Sequence, residues 1–297
     1  MKTVLFLLFR FLARGTRKVS NIFWVVAQKT ITEDYQQRAV IGSTRYNMVS
    51  SPDEPYYAEQ YWNIILPYLI NTPNNARIVD LGCSQGRLTK KMGEHFASGK
   101  VFGCDISTSA IEQARIYVEK SSLKNVDFQV QSISECLRES ENNSCDVILM
   151  TEVAFFYPDW KDDLSYVIDT LKSGGILVMS FRSQYFNAMC IARSRRWESV
   201  RTILDCRKGA IFDPITSFTW QTSEEIRSLF LATKEVELLD LRGIGVCSGI
   251  SADPHDSICQ PSQLNDDEQV KLMELEIELG KSVLDGGRYM LAIVRKL

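Results

Sequence analysis

Residues 77–88, R-I-V-D-L-G-C-S-Q-G-R-L, constrain the fold more than any other part of the chain. An apolar run (Ile78, Val79, Leu81) ends in a loop of small residues that holds Gly82, Ser84 and Gly86. A helical pattern follows, with Leu88, Met92 and Phe96 on one face. A strand, a glycine turn and a helix N-terminus in succession make a nucleotide-binding βα unit. Glycine lets the backbone turn sharply and approach a ligand where a Cβ would collide. A second apolar strand, K-V-F-G-C-D-I, ends at Asp105, about 20 residues beyond the turn. At that spacing an acid accepts ribose hydroxyls. The two halves together predict a pocket for an adenosine-containing ligand.

Three readings of the loop compete. A dinucleotide site needs G-x-G-x-x-G around a pyrophosphate. Here Ser84 replaces the second glycine, the third is missing, and Asp80 would repel phosphate. A serine nucleophile elbow, G-x-S-x-G, matches residues 82–86 literally. Its triad needs a histidine base, and only His95 and His255 exist. No oxyanion-hole glycine run appears, and too few residues precede the loop for that fold's upstream strands. In the third reading Asp80, Gly82 and Gly86 surround a cationic amino acid moiety, with Asp80 holding its ammonium through water or backbone.

On Asp80, Gly82 and Gly86, with Asp105 beyond, the sequence resembles the class I S-adenosylmethionine-dependent methyltransferases, whose first motif runs D-x-G-x-G-x-G. Ser84 departs from the central glycine. The likeness covers residues 75–182 well and the last sixty or so more loosely. It implies an α/β, doubly wound (Rossmann-like) fold: a seven-stranded, mainly parallel sheet with an antiparallel last strand and helices on both faces. It implies S-adenosyl-L-methionine as cofactor. Contacts would come from Asp80, Gly82, Cys83, Ser84 and Gly86 in the loop, from Asp105 and Ile106, from Ser132 and Ile133 after the third strand, and from Thr151 after the fourth. Tyr46, Met48, Tyr56, Tyr57 and Tyr61 are candidates to close the site, as N-terminal segments do in the family.

Periodicity places strands near 77–82, 100–105, 126–131, 145–151 and 175–181. Helices are expected near 86–97, 108–120, 160–172 and 222–233, with Gly174 and Gly175 ending the third of these. Pro55 is a plausible early position of a further helix. The chain divides into a basic, apolar N-terminal extension (1–50) and a methyltransferase domain (51–297) with a cap insertion at about 183–221.

Methyl transfer needs in-line positioning of the acceptor and, for a hydroxyl or ammonium, loss of a proton. Glu152 and Tyr157, near the end of the fourth strand, are the catalytic candidates; His255 is a remote third. In the insertion, Arg182, Arg193, Arg195, Arg196, Arg201, Arg207 and Lys208 accompany Tyr185, Phe186, Trp197 and Trp220. They would either read a carboxylate or phosphate on an anionic acceptor, or lie solvated opposite a buried stripe of Ile191, Val200, Ile203 and Leu204.

A net charge of −3 argues against a nucleic-acid binder that relies on an overall basic surface. Eight cysteines without a C-x-x-C pair, and two histidines, predict buried reduced thiols in a cytoplasmic protein and no metal site. The apolar N-terminal runs fall short of the roughly 20 residues that cross a bilayer. Their basic neighbours suit peripheral membrane contact, and a lid over the domain suits them equally. The expected activity is methylation of a small-molecule acceptor on oxygen or nitrogen. The alternatives are RNA methylation and a non-catalytic S-adenosylmethionine-binding protein.

Overall fold

The computed structural model describes residues 47–157, 160–210, 217–250 and 258–297. Most of the N-terminal extension, Tyr46 and His255 lie outside them. Seven strands form one sheet: β1 (Arg77–Leu81), β2 (Lys100–Asp105), β3 (Val126–Val130), β4 (Cys145–Met150), β5 (Leu171–Arg182), β8 (Val236–Ile244) and β9 (Tyr289–Lys296). Their order is β3-β2-β1-β4-β5-β9-β8, and β9 alone runs antiparallel to its neighbours. A separate hairpin pairs β6 (Lys208–Ala210) with β7 (Ser217–Thr219). The expected seven-stranded, doubly wound sheet is thus the one observed.

Alternation along the strands builds two cores, because successive side chains point to opposite faces. Ile78, Val147, Leu149, Ile176, Val178, Leu291 and Ile293 face one side. There they meet α1 (Glu54–Ile65) through Tyr61 and Ile65, and α2 (Arg87–His95) through Leu88 and Met92. Val79, Leu81, Ile148, Met150, Leu177, Met179, Met290 and Ala292 face the other side. They pack on α5 (Trp160–Thr170) and α8 (Ser223–Ala232). A parallel sheet buried on both faces needs such near-continuous apolar strands. Helix α3 (Thr108–Glu119) begins after Ser107, whose hydroxyl accepts from the Ala110 N–H at 3.3 Å and so caps it.

Four features differ from the expectation or add to it. Gly174 and Gly175 do not end a helix. α5 stops at Thr170, and Leu171 already pairs with Cys145. Gly174, at φ 78°, lies in the irregularity before Ile176 meets Val147, and Lys172 anchors that bulge on the Asp146 carboxylate (2.8 Å). A short helix, α4 (Ile133–Glu139), follows β3 where no helix was expected. The insertion folds into α6 (Gln184–Arg193), α7 (Trp197–Asp205) and the β6–β7 hairpin. Last, α9 (Asp266–Leu279) precedes β9. No helix among the described residues is long and apolar enough to cross a membrane.

Candidate active site

Parallel strands present their carboxyl ends at one edge, and ligands bind there where the strand order reverses. That reversal lies between β1 and β4, with β2 and β5 outside them. β9 is antiparallel, so its first residues reach the same edge as the last residues of β5, and Arg182 pairs with Tyr289. A cavity of about 320 Å³ spans these tips. Asp105 and Ile106 line it after β2, Gly82 and Ser84 after β1, and Thr151, Glu152 and Val153 after β4. Arg182 closes β5, and Arg288 and Tyr289 open β9. An adjoining recess of about 20 Å³ shares Gly82, Ser84 and Thr151 with it and adds Asp80 and Cys83.

The loop after β1 turns through three left-handed residues, Gly82 (φ 73°), Ser84 (φ 47°) and Gly86 (φ 77°). Its first two N–H groups, of Gly82 and Cys83, both donate to the Cys104 carbonyl (2.8 and 2.9 Å). The Asp105 carboxylate accepts from the Ser84 N–H at 3.0 Å and from the Ser107 N–H at 2.8 Å. Burial pushes Asp105 above the usual carboxylate range, and the two backbone bonds oppose that shift. Asp80 is buried beneath the loop and accepts from the Thr89 hydroxyl at 2.5 Å. Desolvation pushes its carboxyl up to about 6, although the Thr89 bond lowers it.

Most of the expected cofactor residues meet in this one place. Gly82, Ser84, Asp105, Ile106, Ser132, Ile133 and Thr151 line the cavity, and Asp80 and Cys83 line the recess. Gly86 lines neither. A Cβ there would lie 2.9 Å from Phe128 Cζ, and its φ is 77°, so packing against Phe128 already requires a glycine at this position. The side chain of Ser132 is also occupied. It caps α4, accepting from the Glu135 N–H and donating to the Glu135 carboxylate (2.6 Å).

Both catalytic candidates reach the cavity with their polar atoms engaged. Tyr157 donates to the Asp163 carboxylate and shares a 2.8 Å hydrogen bond with Ser134. Glu152 sits at φ 58°, a strained value for a residue with a Cβ. Its N–H donates to Ser180 Oγ at 2.6 Å, and its carboxylate pairs with Arg87. Arg87 also pairs with Glu54, so one buried guanidinium bridges α1 to the β4 tip. Burial works against that charge, but Glu152 and Glu54 outweigh it and push the Arg87 pKa upward.

The sequence missed much of the far wall. Phe155, Phe156, Phe218, Arg288 and Tyr289 line it, together with Arg182. Of the insertion's cations only Arg182 does so. Arg193, Arg195, Arg196, Arg201, Arg207 and Lys208 are exposed, with Arg201 paired to Asp205 and Arg207 to Glu225. Trp197 and Tyr185 are exposed too, and Trp220 is fully buried, donating to the carbonyls of Ile203 (3.0 Å) and Cys206 (2.8 Å). The antiparallel last strand was the available signal for Arg288 and Tyr289, because its start must fall at the site edge. Of the residues expected to close the site, Met48 and Tyr57 line the cavity, while Tyr56 and Tyr61 do not.

Residues 73–229 match a family model described as a methyltransferase domain. The chain is 26% identical over 119 residues to malonyl-(acyl-carrier protein) O-methyltransferase of Acetivibrio thermocellus, covering 40% of each chain. It is 28% identical over 117 residues to ubiquinone biosynthesis O-methyltransferase of Coxiella burnetii (39% of this chain, 48% of that one). The match to carboxy-S-adenosyl-L-methionine synthase of Campylobacter jejuni reaches 30% over 139 residues (45% and 56%). The chain therefore spans only about half the length of the curated relatives it matches. Among solved structures, a candidate S-adenosylmethionine-dependent methyltransferase of Listeria monocytogenes shares the fold at TM-score 0.53 and 17% identity, over 81% of this chain and 98% of that one.

Proposed function

We propose, from the premise that this chain belongs to the class I S-adenosylmethionine-dependent methyltransferases, that its acceptor is a small molecule methylated on oxygen or nitrogen inside the strand-tip cavity. When bound, the cofactor supplies a methyl carbon already made electrophilic by its sulfonium. The residues supply position. Asp105 takes the ribose hydroxyls, and Ile106 and Ile133 give apolar walls for the adenine. Asp80, which lines the recess, would hold the ammonium.

One observation carries the small-molecule reading. The cavity continues past Thr151 into a wall of rings, with Phe156 and Phe218 centroids 5.1 Å apart and Phe155 and Tyr289 5.5 Å apart. That wall offers a flat acceptor an apolar bed beside the β4 tip, which suits in-line attack. Glu152 is the better placed candidate to receive an acceptor proton, because Tyr157 already donates its own to Asp163. RNA methylation draws on the insertion's arginines, all but one of which lie on the surface away from the cavity lining.

Incubation with methyl-labelled S-adenosylmethionine and either a metabolite extract or total RNA tests the reading. Label in a small organic product supports it, and label confined to RNA moves the assignment to RNA methylation. Tight S-adenosylhomocysteine binding with no transfer to either would leave the non-catalytic binder.

A further inference from the structure

The inserted helical hairpin carries chemistry that the cavity does not use. Its inner side packs on the domain through Phe186, Cys190, Ile191 and Ile203, all buried. Its outward residues recur at helical spacing: Tyr185, Met189 and Arg193 on α6, and Trp197, Arg201 and Leu204 on α7. Trp197 is 64% exposed, Tyr185 48%, Met189 46% and Leu204 40%. Four of the thirteen large apolar side chains exposed among the described residues thus fall within residues 185–204. Scattered singly, such side chains need no explanation; gathered on one hairpin, they mark an interaction surface.

The two helices join at a tight corner, R-S-R-R-W at 193–197. The N–H groups of Ser194 and Arg196 both donate to the Ile191 carbonyl (3.1 and 3.4 Å), and that of Arg195 donates to the Ala192 carbonyl (2.8 Å). Arg195 takes a left-handed φ of 56° to close the turn. The outward stripe of α6 therefore ends at Arg193, four positions before that of α7 begins at Trp197. Residues 184–208 hold six cations against two acids, and setting Glu225 against Arg207 still leaves an excess of three. The whole chain is net −3, so this is a local concentration of the opposite sign.

We infer that this hairpin docks the protein on an anionic membrane surface. Trp197, Tyr185, Met189 and Leu204 enter the boundary between headgroups and acyl chains, and the basic side chains meet the negative lipid headgroups. Tryptophan and tyrosine favour that boundary, and cations beside them gain from its negative potential. A nucleic acid would also suit the cations and stack on the rings, but it would leave Met189 and Leu204 in water. Docking at this corner also fixes where the cavity lies. α6 starts two residues after Arg182, which lines the cavity, and its ten residues span about 15 Å. The docked hairpin thus holds the β5 end of the cavity close to the lipid surface.

Cosedimentation of the full chain with vesicles tests this, using phosphatidylcholine alone and an equal mixture of phosphatidylcholine and phosphatidylserine. Binding to the mixed vesicles should be roughly tenfold tighter than to the neutral ones, or better, and should weaken as salt rises. Arg195→Gln should weaken it roughly fivefold, the loss of one cation at such a surface, and adding Trp197→Ser should weaken it further. Tryptophan emission should shift to the blue on mixed vesicles, and Trp197→Phe should lose that shift. Unchanged S-adenosylhomocysteine binding in each variant shows that it folds. No binding of the unaltered protein to mixed vesicles overturns the inference. Binding that Arg195→Gln with Trp197→Ser leaves intact also overturns it and assigns the contact to residues 1–46. Tighter binding to polyuridylate than to the vesicles at the same salt, lost in that double variant, would make the hairpin an RNA surface instead.

Discussion

The Ser84 backbone N–H donates to the Asp105 carboxylate at 3.0 Å, tying the bend after β1 to the tip of β2. Ser84 holds the place where the family's first motif has its central glycine, and it keeps glycine's left-handed backbone at φ 47°. The bond is one reason the bend survives with a serine there. Asp105 also lines the cavity, so the side chain that fixes the loop is the one proposed to take the ribose hydroxyls.

Replacing Asp105 by alanine is therefore expected to weaken S-adenosylhomocysteine binding roughly ten- to a hundredfold, about 1.5–3 kcal/mol for a charged hydrogen-bond acceptor. Calorimetric titration measures this directly. An unchanged dissociation constant would show that the ribose lies elsewhere.

Ser84→Gly should be nearly silent. It relieves a left-handed non-glycine residue, worth about 1–2 kcal/mol, and gives back roughly 0.5–1 kcal/mol in chain entropy. Urea unfolding should show a change of less than about 1 kcal/mol with cofactor affinity kept. Ser84→Val puts a β-branched residue at the same φ and should destabilise clearly.

Asp80 makes binding sensitive to acid. Burial raises its carboxyl to about 6, so the group proposed to hold the cofactor's ammonium is ionised at neutral pH and protonates below about 6. The dissociation constant for S-adenosylhomocysteine should be flat above about pH 7 and rise toward tenfold per pH unit below 6. Stability has the opposite sign. A raised carboxylate pKa means that the folded state binds the extra proton, so Asp80 stabilises fully below its ordinary value, and that contribution is lost as pH rises through about 6. Asp80→Asn should remove the acid dependence of binding, at a cost in affinity, and be at least as stable as the parent at pH 7. A parent and variant with the same binding profile would count against this role.

Arg87 is expected to be the costliest single truncation near the site. Arg87→Met would leave the buried Glu54 and the half-buried Glu152 without their common partner, a loss of about 3–5 kcal/mol. Combining it with Glu54→Gln and Glu152→Gln should recover most of that loss in urea unfolding. A triple variant no more stable than Arg87→Met would show that the cost lies in packing rather than charge.

Local signals were the readable ones. Residues 77–88 specify strand, bend and helix within a dozen positions, and Asp105 follows at fixed spacing, so the cofactor end was legible. S-I-S-E at 132–135 is a capping-box pattern that marks α4, yet seven residues are too few for a periodic signal. A glycine in a loop does not say which neighbour needs the space, and at Gly86 Phe128 is one that does. The acceptor end was hidden for a deeper reason. Arg182 and Tyr289 become neighbours only through the pairing of β5 with β9, and nothing in either segment alone announces it.

Tyr157 and Glu152 should separate cleanly when tested for catalysis. The Tyr157 hydroxyl is committed to Asp163 and Ser134, so Tyr157→Phe should cost about 1 kcal/mol of stability and leave kcat within roughly threefold. Glu152 lines the cavity in a strained conformation held by Ser180 and Arg87, the arrangement of a residue kept in place for use. Glu152→Gln keeps the shape and removes the charge. If that carboxylate receives the acceptor's proton, kcat should fall roughly a hundredfold or more with little change in S-adenosylhomocysteine affinity. An acceptor that is already ionised at its reacting atom needs no such base. In that case Glu152→Gln would leave kcat nearly intact, and the pH profile of the parent enzyme would lack the corresponding acidic limb. Kinetics of both variants on the first acceptor found, across pH, decide between a proton-accepting Glu152 and one that only positions the β4 tip.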